Sequence, residues 1–411
     1  MPSTTSALGD GFLRAWDAVL RRDRVIACAP IILAMQVVLF VFTVAGAYGF
    51  LGPLERPTST DFTSFYAAGT LADSGHPELT YDLQAHYRAE EAATRPGIEY
   101  KYFYYPPTFL FVCAAVAKLP YFWSFIVFEA ASCFLYLAVI RAILAERSWD
   151  VLIPFLACPA IYWTFGLGQN ALITAALFGG ATLLVDRRPI VSGILFGALC
   201  YKPHLALLVP VGLAAGRHYR AFLSALGSVV LLCVASLAVF GWATWSAFLH
   251  QAATSPATYE SGRIMLNAFA SPFGGLLLLR SPLMVNYAIQ AFVTLGAAAV
   301  VWLVWRRRDA LPVRAAVLLA ATLVAVPVIF LYDLMLATVA VAWLLRADRS
   351  VPLSLSEKSI LALLFAALLV SRTSFCWDWP VIPAIALAFS GLVVFHATRV
   401  RGAPVAAAVE G

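Results

Sequence analysis

The sequence predicts an all-α polytopic membrane protein, and three observations carry that prediction. Of its 411 residues, 62% are hydrophobic and only 12% charged, against about half and about a quarter in an ordinary soluble domain. Segments 26–51, 122–144, 220–241 and 283–305 each run roughly 20 residues with hardly a charge, the length a helix needs to cross a hydrocarbon core of about 30 Å. The arginines gather in short clusters between such segments, as they do in loops retained on the cytoplasmic side.

Taken from the amino end, Phe12, Leu13, Trp16, Val19 and Leu20 recur at helical spacing opposite Arg14, Asp17 and Arg21. Residues 1–24 therefore read as a cytoplasmic amphipathic helix lying in the membrane interface. The first apolar segment is too long for the core of a secretory signal, so it is expected to be an uncleaved anchor. Arg21-Arg22-Asp23-Arg24 places the amino end inside. The clusters Arg187-Arg188, Arg217/Arg220, Arg306-Arg307-Arg308, Arg346/Arg349 and Arg399/Arg401 follow the same rule, which puts the tail, 401–411, inside as well. Both ends on one side require an even number of crossings, yet about thirteen apolar segments can be counted. The weakest is 106–118, which opens with Pro106-Pro107 and closes at Lys118-Leu119-Pro120. It reads as a re-entrant or broken helix, leaving about twelve spans in one transmembrane domain, 25–400.

This topology puts two long segments outside the cytoplasm, 52–105 and 242–282, with smaller turns at Gly168-Gln169-Asn170, Lys202-Pro203-His204, Tyr332-Asp333 and 372–379. The arms of the Lys202 hairpin have roughly 14 residues each, about 21 Å of helix, so its tip is expected below the outer surface. Gly193 and Gly197 within one arm are spaced for close helix contact. The net charge of +6 does not form the continuous basic stripe that nucleic acid requires. The seven cysteines show neither metal-ligand spacing nor paired loop positions. No phosphate-binding Gly-rich loop, dinucleotide fingerprint, zinc-protease motif or serine elbow occurs, which disfavours nucleotide-driven transport and soluble-type hydrolysis.

The polar residues that remain are few. Asp61-Phe62-Thr63-Ser64-Phe65-Tyr66 follows a proline-containing exit from the first span; Asp61 is either a general base near the membrane surface or the cap of an interfacial helix. Tyr100-Lys101-Tyr102-Phe103-Tyr104-Tyr105-Pro106-Pro107 reads as an interfacial aromatic belt or as a groove for a sugar or prenyl chain. Lys202 and His204, expected at membrane depth by the hairpin argument, need a cavity or a partner, and an anionic ligand would supply one. Snorkelling at a helix end is the alternative. Arg263 and Arg280 are further phosphate candidates, and Asp333 must be paired with Lys202, line a wet cavity or cap a helix.

In order along the chain, Asp61-Phe62-x-x-Phe65-Tyr66, Leu79-Thr80-Tyr81-Asp82, Tyr105-Pro106-Pro107, Gly168-Gln169-Asn170, Lys202-Pro203-His204, Asn267 with Arg280, and Tyr332-Asp333-Leu334 resemble glycosyltransferase family 87. That family falls among the polyprenyl-phosphate-dependent glycosyltransferases of the GT-C class and includes mannosyltransferases of phosphatidylinositol mannoside synthesis. The resemblance implies a GT-C-like bundle whose first extracytoplasmic loop carries short interfacial helices, in a bacterial-type inner (plasma) membrane. It implies transfer of a hexose, mannose above all, from a polyprenyl-phosphate sugar to a lipid or glycan acceptor. Asp61 then matches the catalytic aspartate, and Lys202, His204, Arg263, Gln169, Asn170, Asp333, Tyr66, Tyr105 and Asn267 become candidates for binding the donor phosphate and substrates. No protein metal site is indicated; a magnesium or manganese ion bridging Asp61 and the donor phosphate fits the chemistry. Asn267-Ala268-Phe269-Ala270-Ser271 and Val328-Ile329-Phe330 depart from the family's more polar pattern, which bears on the sugar and acceptor more than on the reaction. The competing class is a lipid-linked sugar flippase or secondary transporter that uses Lys202 and Asp333 as a coupling pair.

Overall fold

A computed structural model describes residues 14–47, 61–260, 266–348, 351–371 and 378–402. Among them the regular structure is helical, and the β contact is an isolated antiparallel bridge between Phe269 and Phe330. The chain is an all-α polytopic membrane protein.

Length divides the helices into two kinds. Arg22–Val41, Tyr121–Leu144, Tyr219–Thr258, Leu283–Arg306 and Val381–Arg401 are long and apolar enough to cross a membrane. Asp150–Leu156 and Pro159–Leu167, bent by 64°, add a sixth if taken as one broken span. Pro159 accounts for the break, since it donates no backbone hydrogen bond and favours the first position of a new helix. Other apolar stretches form helices of 10–17 residues, including Ala171–Leu184, Pro189–Tyr201, Pro203–Ala215 and Leu311–Ala325. Among the described residues, the dozen crossings expected from hydropathy thus resolve into five or six full-length spans and a set of shorter helices of about 15–25 Å.

The two kinds differ in what surrounds them. Leu311–Ala325 is buried continuously from Val313 to Ala325, and most of Ala171–Leu184 is buried with it. The long helices instead leave Val38, Leu231, Val239, Phe292 and Leu295 exposed. An all-apolar helix must face lipid or protein, so most of the long spans face lipid, with Val381–Arg401 half buried, while Leu311–Ala325 and Ala171–Leu184 form the interior.

Pro107–Val116 is one of the short helices, too brief to cross, as the prolines at 106–107 suggested. The Tyr219–Glu260 helix, by contrast, turns sharply at Gly241 (φ 78°, ψ 167°) and continues into residues expected to be loop. Its extension is held by packing on the Pro77–Tyr81 turn, where Phe248 meets Tyr81 with ring centroids 5.7 Å apart.

The arginine clusters do collect at one end. Arg314 donates to Asp186 at 2.7 Å and contacts His218 Nε2 at 2.9 Å, tying together three interhelical turns. Nearby, Arg22 pairs with Glu146, and Arg346 reaches the Ile143 carbonyl. Residues 14–19 are helical and dock on the same end, with Trp16 Nε1 donating to Ser359 Oγ at 2.8 Å and Lys358 pairing with Asp17 at 3.0 Å. Phe12 and Leu13 of the expected amphipathic face lie outside the described residues, as do Arg349 and most of the 372–379 turn.

Gly193 and Gly197 let Pro189–Ala198 lie directly on the Tyr219–Glu260 helix. A Cβ at Gly193 would sit 2.4 Å from the Ala221 carbonyl oxygen, and one at Gly197 would sit 2.5 Å from Ser228 Cβ. Since this contact fixes the helix that leads to Lys202, Gly197→Val is expected to destabilise the protein by about 1–3 kcal/mol through overpacking. The check is its thermal unfolding in detergent, with Gly227→Val, whose Cβ would meet nothing within 4 Å, as the control.

Candidate active site

Asp61 opens the Asp61–Asp73 helix, where the exposed N–H groups of the first turn favour a carboxylate. The following residues fix that turn in place. Phe62 is fully buried among Tyr121, Phe125 and Phe128, and Phe65 packs edge-on against Tyr105 and Phe109.

The partner of Asp61 comes from a turn more than a hundred residues away. Pro159–Leu167 ends at Gly168, which is left-handed (φ 64°), and Gln169 N closes the turn on the Thr164 carbonyl. Glycine is required twice over, because a Cβ there would also lie 2.6 Å from Phe62 Cβ. This close approach delivers the Gln169 amide to the carboxylate, with Nε2 donating to Asp61 Oδ2 at 2.6 Å. The Gln169 carbonyl in turn accepts from the Tyr105 hydroxyl at 3.3 Å. A carboxylate can only accept, so Tyr105, Gln169 and Asp61 form a chain of one polarity. Asn170 is fully buried beside Tyr105. Burial lifts the Asp61 carboxyl above its ordinary value, against the opposing pull of Lys101, the Gln169 hydrogen bond and Lys202.

A second polar group lies across an aromatic stack. Lys202 Nζ donates to Asp333 Oδ1 at 3.0 Å, with both side chains almost fully buried, and lies 5.0 Å above the Tyr332 ring. Asp333 also accepts the Phe330 N–H through its other oxygen at 3.0 Å. Its pairing with Lys202 is therefore realised, whereas the cap of the Leu331–Leu334 turn is Phe330, to which Asp333 bonds back from the third position. His204, two residues beyond Lys202, is half-buried and faces the same carboxylate. Tyr105, Phe109 and Tyr201 stack between the two groups, with centroids 4.6 Å and 5.1 Å apart in sequence. Tyr201 is held there by Thr174, hydroxyl to hydroxyl at 2.7 Å.

The structure thus brings together Asp61, Tyr105, Gln169, Asn170, Lys202, His204 and Asp333. Asn267 is half-buried in a short turn whose continuation pairs with the chain leading to Asp333, Ala270 N donating to the Ile329 carbonyl at 2.7 Å. Tyr66 does not join them. It stands nearly half a turn round the helix from Asp61 and gives its hydroxyl to the Leu119 carbonyl at 3.0 Å. Arg263 lies outside the described residues, and Arg280 is exposed at the end of Pro272–Leu278.

Sequence reasoning missed a supporting layer. His86 and Glu90 are wholly buried on Leu83–Ala93, 3.7 Å apart, where i, i+4 spacing places them on one face. His86 Nε2 lies 3.2 Å from the Ser64 carbonyl on the Asp61 helix, and Glu90 Oε2 accepts the Lys101 N–H at 3.1 Å. Burial pushes Glu90 up to about 8 and His86 down to about 4, so both are neutral near pH 7. The i, i+4 pair within a polar helix was the available signal.

A sequence model of glycosyltransferase family 87 matches residues 103–331, more than half of the chain. The chain belongs to glycosyltransferase family 87. It is therefore a membrane-embedded glycosyltransferase, with a sugar donor and an acceptor. The family 87 match includes Tyr105, Gln169, Asn170, Lys202, His204 and Asn267; Asp61 and Asp333 fall outside it. No curated protein and no solved structure matches the chain. Among the described residues, no group of three or more His, Cys, Asp or Glu side chains is placed to hold a metal.

Two predictions follow from these environments. Lys202→Met leaves Asp333 buried without its partner and should cost about 3–5 kcal/mol, much of it recovered in the Lys202→Met, Asp333→Leu double variant. Thermal unfolding of the three proteins measures this. Glu90, raised from 4.5 to about 8, holds a proton that the unfolded chain releases, so its contribution to stability is lost as pH rises between those values. His86, lowered from 6.5 to about 4, loses its contribution as pH falls between those values. The two slopes oppose each other from 4.5 to 6.5, leaving a net loss from 6.5 to 8. Melting temperatures across pH should show Glu90→Gln gaining on the wild type over that upper interval.

Proposed function

We propose that the chain transfers one hexose, mannose by preference, from a polyprenyl-phosphate sugar to a lipid or glycan acceptor on the extracytoplasmic side, with inversion at the sugar carbon. The observation that carries this reading is Asp61 itself: a half-buried carboxylate at a helix start, oriented by Gln169, its pKa raised by burial toward the working range of a base. Asp61 takes the acceptor hydroxyl proton as that oxygen attacks the anomeric carbon. The bond from that carbon to the phosphate oxygen breaks, and its electron pair leaves with the polyprenyl phosphate. One displacement by one base inverts the centre and needs no covalent intermediate.

Orientation is supported by the gathering of arginine clusters at the end opposite Asp61, which the positive-inside rule assigns to the cytoplasm. The stacked Tyr105, Phe109 and Tyr201 offer apolar faces for the sugar or the first prenyl units. A magnesium or manganese ion carried in with the donor phosphate would find Asp61 as its protein ligand and take the rest from substrate and water. The buried Lys202–Asp333 pair is also what a flippase would use for coupling, so transport is the competing reading.

Reconstitution with polyprenyl-phosphate mannose and a lipid extract tests the two. Asp61→Ala and Asp61→Asn should each lose about 10²- to 10⁴-fold in transfer; undiminished transfer by both would remove Asp61 as the base. Lipid movement without a glycosylated product would favour the flippase. Because the Gln169 hydrogen bond pulls the Asp61 pKa down, Gln169→Ala should move the acid limb of the pH–rate profile to higher pH.

A further inference from the structure

Lys101 and Lys202 both pull the Asp61 carboxyl down, Lys101 the more strongly, while Glu99 beside Lys101 pushes it up. Lys101 lies in a stretch without helix that leads to Tyr105. Along residues 100–105 the side chains alternate. Tyr100, Tyr102 and Tyr104 stand on one face in ring contact, with centroids 4.9 Å and 5.4 Å apart. Phe103 and Tyr105 turn the other way, Phe103 fully buried and Tyr105 reaching Gln169. Lys101 shares their face.

Its backbone is pinned from beneath. The Lys101 N–H donates to Glu90, Glu90 lies against His86, and His86 lies against the Ser64 carbonyl one turn after Asp61. One buried pair therefore ties the backbone of Lys101 to the helix that carries the candidate base, across about 40 residues of sequence.

The two lysines near Asp61 differ in availability. Lys202 is 4% exposed and held by Asp333, itself 2% exposed, so an incoming anion could take Lys202 only by leaving a buried carboxylate unpaired. Lys101 is 17% exposed and its ammonium pairs at 3.1 Å with Glu99, which is 75% exposed. A pair with one partner in water is weak. A phosphate brought close to Asp61 also meets like-charge repulsion, which a cation beside that carboxylate relieves.

We propose that Lys101, and not Lys202, receives the phosphate of the lipid-linked donor, displacing Glu99, with Glu90 and His86 as its positioning residues. This rests on the donor reading given above. Lysine supplies the compact charge suited to a phosphate, and the face it shares with Tyr105 aligns that phosphate with the sugar-binding stack. Lys202 and Asp333 then act as a fixed wall.

The test is binding of decaprenyl phosphate, and separately of decaprenol, to the full-length protein in lipid nanodiscs. The wild type should prefer the phosphate. Lys101→Gln should weaken phosphate binding about 10- to 100-fold, as loss of a charge-assisted contact does, and leave decaprenol binding unchanged. Lys101→Arg should keep most of the phosphate affinity. Glu99→Gln should strengthen it, because the competing carboxylate is gone. Glu90→Gln, which still offers an oxygen to the Lys101 N–H, should retain the affinity that Glu90→Ala loses. Phosphate binding by Lys101→Gln equal to that of the wild type overturns the assignment and leaves the donor reading standing. A wild type that does not distinguish phosphate from alcohol overturns both.

Discussion

Lys202 and Asp333 bring opposite charges into the interior of an apolar bundle, and each is tolerable there only because of the other. That requirement binds two distant parts of the chain. Lys202 stands at the tip of a hairpin whose arms are shortened by 3-10 turns, and Asp333 sits where a buried helix has just broken off into an extended stretch. The irregular backbone at both places is what a membrane protein permits only where protein surrounds it. Phe269–Ser271 supplies that cover, bonding to the exposed carbonyls ahead of Asp333.

Around this fixed pair the polar residues separate by environment. Asp61 is reached by an amide and two cations at a distance, and it keeps an edge toward solvent. Asp333 is closed in on both oxygens by Lys202 and the Phe330 N–H. Two carboxylates at the same end of one bundle are thereby held differently, one half-buried beside an amide and one closed in by an ammonium and a backbone N–H.

Much of this arrangement was legible in sequence because scarcity made it so. In a chain with so few charges, Lys202 and Asp333 stood out and their pairing could be anticipated, as could the helical contact at Gly193 and Gly197. What could not be read was depth and direction. Hydropathy does not distinguish a helix facing lipid from one facing protein, so interior helices of about four turns were counted as crossings. Tyr66 looked like a site residue because it neighbours Asp61 in sequence, yet helical geometry turns it away. Lys101 lay hidden inside a run of tyrosines that hydropathy reads as an anchoring belt. The helical extension past Gly241 was invisible because it depends on the Pro77–Tyr81 turn it covers.

The alternation along residues 100–105 has a consequence for how this segment can vary. Tyr102 could be replaced with little effect on what faces Asp61, though not Tyr100, whose ring packs on His86 with centroids 5.7 Å apart. The spacing between Glu90 and Tyr105 has no such freedom, because losing or gaining a single residue would exchange the two faces and present tyrosine hydroxyls where the ammonium now stands. In this stretch it is the count of residues, more than their identity, that keeps each side chain on its face.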